Sequence, residues 1–222
     1  MTQMFNTEKY KKLCEELLPY KASLIAVTKT KPVSDIETAI QNGQKLFGEN
    51  YVQELVEKVP VLSKNIQWHF IGNLQRNKVK QIAPFIHTVQ TVDSKKLLHD
   101  LDKHAAANNR VIKILLQVHI AKEETKFGFS VPEVQMLIDE GVFQQYNNIS
   151  FNGLMGMATN TDDTSQVRSE FKQLYGLYKS ISGAFDRSES PVLSMGMTSD
   201  YKIALDEGSN MIRIGSALFG SR

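Results

Sequence analysis

The chain has 222 residues, 41% of them hydrophobic and 23% charged, and its 26 basic and 24 acidic side chains leave a net charge of +2. That is the usage of one ordinary globular domain, with enough apolar residues for a sizeable core and too many for a disordered chain. The charges are dispersed, which argues against a nucleic-acid partner; no stretch reaches the roughly 18 apolar residues of a membrane span; and a single cysteine, Cys14, excludes an intrachain disulfide, a cysteine zinc motif and a two-thiol redox pair. The opening residues, MTQMFNTEKYKKL, lack the apolar centre of a signal peptide, so a cytoplasmic protein is expected.

In chain order, a helix is predicted over 7–18, with Cys14 semi-buried beside Leu13 and Leu17. Short runs rich in branched apolar residues then alternate with longer segments of helical period, the pattern of successive βα units around a parallel sheet. The predicted strands are 23–28, 45–47, 67–71, 86–90, 111–119, 150–157, 192–194 and 211–214, each followed by a helix. In the first of those helices Ser34 and Glu37 read as a capping box, Ile36, Ala39 and Ile40 as one apolar face, and Gly43 as the stop. The sixth carries Val167, Phe171, Leu174, Tyr178 and Ile181 on a single stripe. No linker or low-complexity tract divides the chain, so 1–222 is expected to be one domain: a single (β/α)8 TIM barrel with an extra N-terminal helix that closes its floor. A doubly wound sheet usually needs fewer strands. Such barrels place their chemistry at the C-terminal ends of the strands and often hold phosphate after strands seven and eight.

The first strand ends in AVTKTKP, which puts Lys29 at that lip, after the apolar run Leu24–Val27. Burial disfavours a charged amine and makes it nucleophilic enough for a Schiff base; the bland alternative is a lysine that reaches solvent. Lys31, the rival nucleophile, precedes Pro32 and so belongs to an extended loop leaving the barrel. After strand seven comes Ser194-Met195-Gly196-Met197-Thr198, and strand eight ends in Arg213-Ile214-Gly215-Ser216. Both read as phosphate sites: Gly196 and Gly215 allow close backbone approach, Ser194 and Thr198 offer hydroxyls, and a helix opening at Ser216 presents free N–H groups. Ordinary βα turns favour the same residue types. Arg213 is a permanent cation inside a barrel strand and needs a partner, either a barrel acid such as Glu49 or the pyridine nitrogen of a pyridoxal 5'-phosphate (PLP) ring. Asn50 is placed to bond a ring hydroxyl, and Met155 to lie against a ring face or simply to fill the interior. His69 reads as a core or supporting residue, and the five histidines show no metal-ligand spacing.

Taken together, AVTKTKP, FGENYVQE, WHFIGNLQRNK, KFGF, GLMGMAT, SMGMTSDY and RIGSALFG, in that order between Leu24 and Gly220, resemble the YggS/PROSC-type pyridoxal phosphate homeostasis proteins. The resemblance implies a non-catalytic PLP-binding protein of vitamin B6 balance, with Lys29 as the Schiff-base lysine and Arg213 against the pyridine nitrogen. Ser194, Gly196, Gly215 and Ser216 would be part of the phosphate cup. It also implies a monomer that hands PLP transiently to apo-enzymes. The fold looks like the barrel domain of bacterial alanine racemases, so a PLP-dependent amino-acid racemase is the main alternative. Racemases of that kind take a second acid/base from an added β-domain, for which a chain ending at Arg222 is expected to have no room. A Schiff-base aldolase of phosphorylated sugars, needing no cofactor, is a third reading.

Overall fold

The structure is a computed structural model that describes residues 5–123, 127–186 and 190–220. Met1 to Met4 of the opening stretch, Lys126 of the KFGF motif and Arg222 lie outside the described residues. Eight parallel strands close on themselves in sequence order: β1 (Ser23–Val27), β2 (Leu46–Glu49), β3 (Gln67–Phe70), β4 (Thr88–Val92), β5 (Ile112–Val118), β6 (Ile149–Gly156), β7 (Val192–Ser194) and β8 (Met211–Ile214). The closing pair is β1 with β8, in the register Ser23–Met211 to Ala26–Ile214. Around them run α1 (Thr7–Leu17), α2 (Val33–Gln41), α3 (Val52–Lys58), α4 (Val79–Ile82), α5 (Lys95–Ala106), α6 (Val131–Asp139), α7 (Thr164–Ser180), α8 (Tyr201–Asp206) and α9 (Ser216–Phe219). The expected (β/α)8 barrel is therefore present, with β2 and β4 set one or two residues further along the chain than their patterns suggested.

The apolar core is the shell between sheet and helices, where Phe47, Phe70, Leu97, Leu98, Phe171 and Phe219 are fully buried. The predicted stripe of α7 supplies part of it through Val167, Phe171 and Leu174. Two details depart from the sequence reading. In α2 the N-cap is Pro32, with no side-chain cap bond, and Ser34 lies inside the helix with its carbonyl accepting the Thr38 hydroxyl at 2.9 Å. The reciprocal capping box stands instead at α6, between Ser130 and Glu133.

The second departure concerns α1, which does not close the floor. Its buried face of Tyr10, Leu13 and Leu17 packs beside β1 and α9, and the Asn6 N–H donates to the Leu218 carbonyl at 2.8 Å. The reason is the length of α9: four residues are too short to cover the β8–β1 surface, so a helix from the other end of the chain completes the outer layer. Among the described residues no helix is long and apolar enough to cross a membrane.

Inside the barrel buried polar side chains bond to one another among apolar ones such as Met155 and Met211. The Ser194 hydroxyl of β7 donates to Gln90 Oε1 of β4 at 2.7 Å, and these strands are not neighbours, so the bond crosses the barrel axis. Gln90 occupies an irregularity in the β4–β5 register between Val89 and Val92. Such bulges re-aim side chains within a strand.

Candidate functional site

At the C-terminal ends of the strands the barrel opens into a cavity of about 750 Å³, within the range that takes a small organic ligand. Of the residues singled out by sequence, Lys29, Asn50, Thr198, Arg213, Gly215 and Ser216 line it. Met155, Ser194 and Gly196 do not. Met155 is buried below the mouth, and the methionine that lines the cavity is Met157. Gly196 has φ +97, and a Cβ there would meet the Ala204 Cβ at 2.6 Å, so its glycine is required by the packing of α8. The Ser194 hydroxyl, read as a phosphate donor, is fully buried and faces Gln90 across the axis.

Lys29 lies two residues past β1 and is half-buried, so it stands at the rim rather than within the apolar run that precedes it. The turn that holds it is braced from below. Lys58 places its ammonium 2.9 Å from the Thr28 carbonyl, 2.8 Å from Glu49 Oε1 and 2.9 Å from Glu54 Oε2. Glu49 also accepts the Thr28 hydroxyl at 2.7 Å, and Glu54 accepts the Thr30 N–H at 2.7 Å. Thr30 has φ +62, an uncommon conformation for a β-branched residue, which costs about 1–3 kcal/mol and survives only when its surroundings impose it. Glu49 is wholly buried; burial pushes its carboxyl up from the ordinary range, while the Lys58 ammonium and the Thr28 hydroxyl pull it down.

Lys31 also lines the cavity, but its ammonium donates to the carbonyls of Phe219 and Gly220 at 2.8 and 3.0 Å. A cation on the last carbonyls of a helix is a stable end-cap. Among the described residues no hydrogen bond engages the Lys29 amine, which leaves it as the available nucleophile of the pair.

Arg213 rises from β8 into the base of the cavity, almost wholly buried. Its guanidinium donates to the Ser194 carbonyl at 2.9 Å, the Ser194 hydroxyl at 2.7 Å and the Gly156 carbonyl at 3.1 Å. Those acceptors are neutral, so the expected alternative of a pair with Glu49 is not formed; Glu49 pairs with Lys58. Burial brings the guanidinium down to about 10, against the pull of Asp200, and it stays charged at neutral pH.

Above it, the Thr198 and Ser216 hydroxyls approach to 3.3 Å on the turns after β7 and β8, both exposed to the cavity. After β2, two strands round the barrel from β8, the Oδ1 of Asn50 is buried without a hydrogen-bond partner. The site thus combines an amine at the rim, a fixed cation at the base, paired hydroxyls and an unsatisfied amide oxygen. Sequence reading missed the Lys58–Glu49–Glu54 brace, because an ordinary helical lysine carries no signal of burial, and missed Gln90, whose partner is on the far side of the barrel.

Residues 6–222 match the family model described as alanine racemase, N-terminal domain. The chain is 41% identical over 202 residues, covering 90% of it and 86% of the relative, to the pyridoxal phosphate homeostasis protein of Pasteurella multocida. It is similar to the solved structure of PipY from Synechococcus elongatus with PLP bound, at 31% identity and a TM-score of 0.86, over 96% of this chain and 99% of that one. Alanine racemase from E. faecalis shares the fold at a TM-score of 0.75 and 20% identity, with 97% of this chain covering 57% of the racemase.

Proposed function

The chain belongs to the pyridoxal phosphate homeostasis proteins of the alanine racemase N-terminal-domain family, and from that premise we propose that it is a carrier which holds PLP covalently on Lys29 without turning over a substrate. The observation that carries the reading is the amine of Lys29 at the rim of a ligand-sized cavity whose base is the Arg213 cation. Bound PLP supplies an aldehyde that condenses with an amine and a ring that draws electrons from it. The residues present fit it. Thr198, Ser216 and the backbone at Gly215 form a cup for a phosphate, and the unpartnered Asn50 Oδ1 faces the same space.

Two features support the absence of turnover. Arg213 keeps its charge at neutral pH, so a ring nitrogen against it stays unprotonated and the ring stabilises a carbanion poorly. Among the described lining residues there is also no tyrosine, histidine or carboxylate to serve as a second acid/base facing Lys29. Incubating the PLP-loaded protein with L- and D-alanine in deuterated water is therefore expected to give almost no racemisation, because inversion requires protonation from both sides. Rapid interconversion that disappears in Lys29→Ala would establish the racemase alternative instead.

The half-open mouth supports transfer as well as storage, since Thr198 and Ser216 are exposed and nothing described folds over them. Transient delivery to PLP-dependent apo-enzymes, by a cytosolic monomer, completes the reading. The phosphate cup is tested by titration with PLP and with pyridoxal, followed by absorbance. Two or more charge-assisted hydrogen bonds predict about 100-fold tighter binding of PLP. Replacing Thr198 and Ser216 together by alanine should erase most of that preference. Equal affinity for the two compounds in the unaltered protein would remove the cup from the model.

A further inference from the structure

Five strands meet in one buried set of hydrogen bonds beneath the cavity. Arg213 of β8 bonds the carbonyl and the hydroxyl of Ser194 on β7 through Nη1, at 2.9 and 2.7 Å, and the Gly156 carbonyl at the end of β6 through Nη2, at 3.1 Å. Ser194 faces Gln90 of β4 across the barrel axis at 2.7 Å. Gln90 Nε2 lies in turn 2.9 Å from His69 Nδ1 of β3 and 3.3 Å from the sulfur of Met211. Gln90 and Ser194 are fully buried, so their hydrogens and lone pairs have to be settled within the protein.

The direction of each bond follows from one end. A guanidinium can only donate, so the Ser194 hydroxyl accepts from Arg213 and has its own hydrogen to place. Gln90 Oε1 takes it. The opposite orientation of the amide would turn an NH2 group on that hydroxyl and leave its hydrogen without an acceptor among the described residues, which is costly in a buried site. With the oxygen so placed, the amide nitrogen donates to His69 Nδ1. Burial, with His87 and Lys113 close by, pushes His69 down to about 3, so the ring is neutral and Nδ1 can accept. Gln90 is thus an acceptor for Ser194 whose orientation is locked from its far side by His69 and Met211.

The consequence lies at the Arg213 end of the chain. Ser194 offers the guanidinium a carbonyl and a hydroxyl lone pair side by side, and Gly156 adds a third acceptor. The Nε–H and the second hydrogen of Nη2 have no acceptor among the described residues, while Arg213 lines the cavity and Gln90 does not. Without Gln90 the Ser194 hydroxyl is free to swing its hydrogen toward the guanidinium, and two donors then face each other. Building on the contact of Arg213 with the ring nitrogen put forward above, we propose that Gln90 is a positioning residue for PLP: by keeping the Ser194 hydroxyl an acceptor, it holds the guanidinium in the orientation that points a hydrogen at that nitrogen.

The test is a calorimetric titration of the full-length protein with PLP and with its 1-deaza analogue, in which a C–H replaces the ring nitrogen while the aldehyde and phosphate are kept. The unaltered protein is expected to bind PLP about tenfold tighter or more, the worth of one hydrogen bond from a charged group. Gln90→Met keeps the length of the side chain without its oxygen, and should bring that ratio down to about threefold or less, because a misaimed donor loses most of its bond. A general loss of fit would weaken both ligands alike and leave the ratio standing. Gln90→Glu can still accept the Ser194 hydrogen and should keep the ratio. Where Gln90→Met does not fold, Ser194→Ala stands in for it, since it removes the hydroxyl through which Gln90 acts and should lower the ratio in the same way. A parental ratio in Gln90→Met or its stand-in, or a ratio lost equally in Gln90→Glu, overturns the role of Gln90 and leaves the Arg213 contact in place. An unaltered protein with no preference overturns both.

Discussion

Replacing Lys29 with alanine is expected to abolish the covalent adduct that borohydride reduction traps between the protein and PLP, and with it the visible absorption of the loaded protein. The effect should be complete rather than partial, because a Schiff base requires an available amine. The cavity offers two lysines and commits one of them: Lys31 binds the carbonyls of Phe219 and Gly220. Lys31→Ala should therefore keep the adduct while losing about 1 kcal/mol of stability from the uncapped end of α9. Peptide mapping of the reduced protein distinguishes the two. An adduct on Lys31, or one scattered over surface lysines, would place the chemistry elsewhere.

A second large effect is expected from Lys58→Met, far less conspicuous in the sequence. Lys58 and Glu49 are both buried, and removing one partner leaves a hidden carboxylate without its cation. Broken buried pairs typically cost about 3–5 kcal/mol. Here the cost depends on pH. Glu49 is already raised above its ordinary 4.5 by burial, and losing Lys58 raises it further. A carboxyl whose folded value is raised contributes stability in full below its unfolded value and loses it as pH climbs through the folded one. The deficit of Lys58→Met relative to the parent should then be smallest near pH 4.5 and widen as pH rises. Urea midpoints at about pH 5 and about pH 8 measure it. A deficit that is constant across that interval would mean that Glu49 does not titrate in the variant. The same substitution frees the carbonyl of Thr28 and one side of Glu54, so the strained Thr30 turn should relax and PLP affinity should fall with stability.

Much of this was legible in the sequence. The alternation of short apolar runs and helical segments is a local signal, and the closed eight-stranded barrel follows it. Lys29, Asn50, Thr198, Arg213, Gly215 and Ser216 could be placed at one mouth because position at a strand end is also local. What failed was anything set by register or by a distant partner. Asn152 lines the floor and Met157 the mouth, positions of opposite parity on one strand. They share the inner face because the β5–β6 pairing slips between Ile114 and Leu115, which skips Asn152. A strict alternation cannot foresee that slip; Met155 and Met157, which lie beyond it and share one parity, differ only in depth along the strand, Met155 being buried below the mouth that Met157 lines. Ser194 looked like a phosphate ligand for a similar reason, since Gln90, more than a hundred positions away in the chain, is what claims its hydroxyl. Pro32 displaced the capping box predicted at Ser34 because its fixed backbone already sets the start of α2.

The pairing of β1 with β8 has a consequence for how the protein is made. Lys29 follows the first strand, while Arg213 lies within the last and Ser216 just beyond it. Lys29 therefore leaves a ribosome just after the first strand, and Arg213 and Ser216 only with and after the eighth. Until β8 docks, β1 is an open edge with unpaired backbone groups, the kind of surface that misassembles in slow-folding parallel sheets. Closure buries that edge and assembles the mouth in one event, since the same strand does both. If PLP is gripped at the Lys29 amine and at the Thr198 and Ser216 hydroxyls, as proposed above, it recognises only a closed barrel, and every bound molecule favours the closed state over the nascent one by mass action.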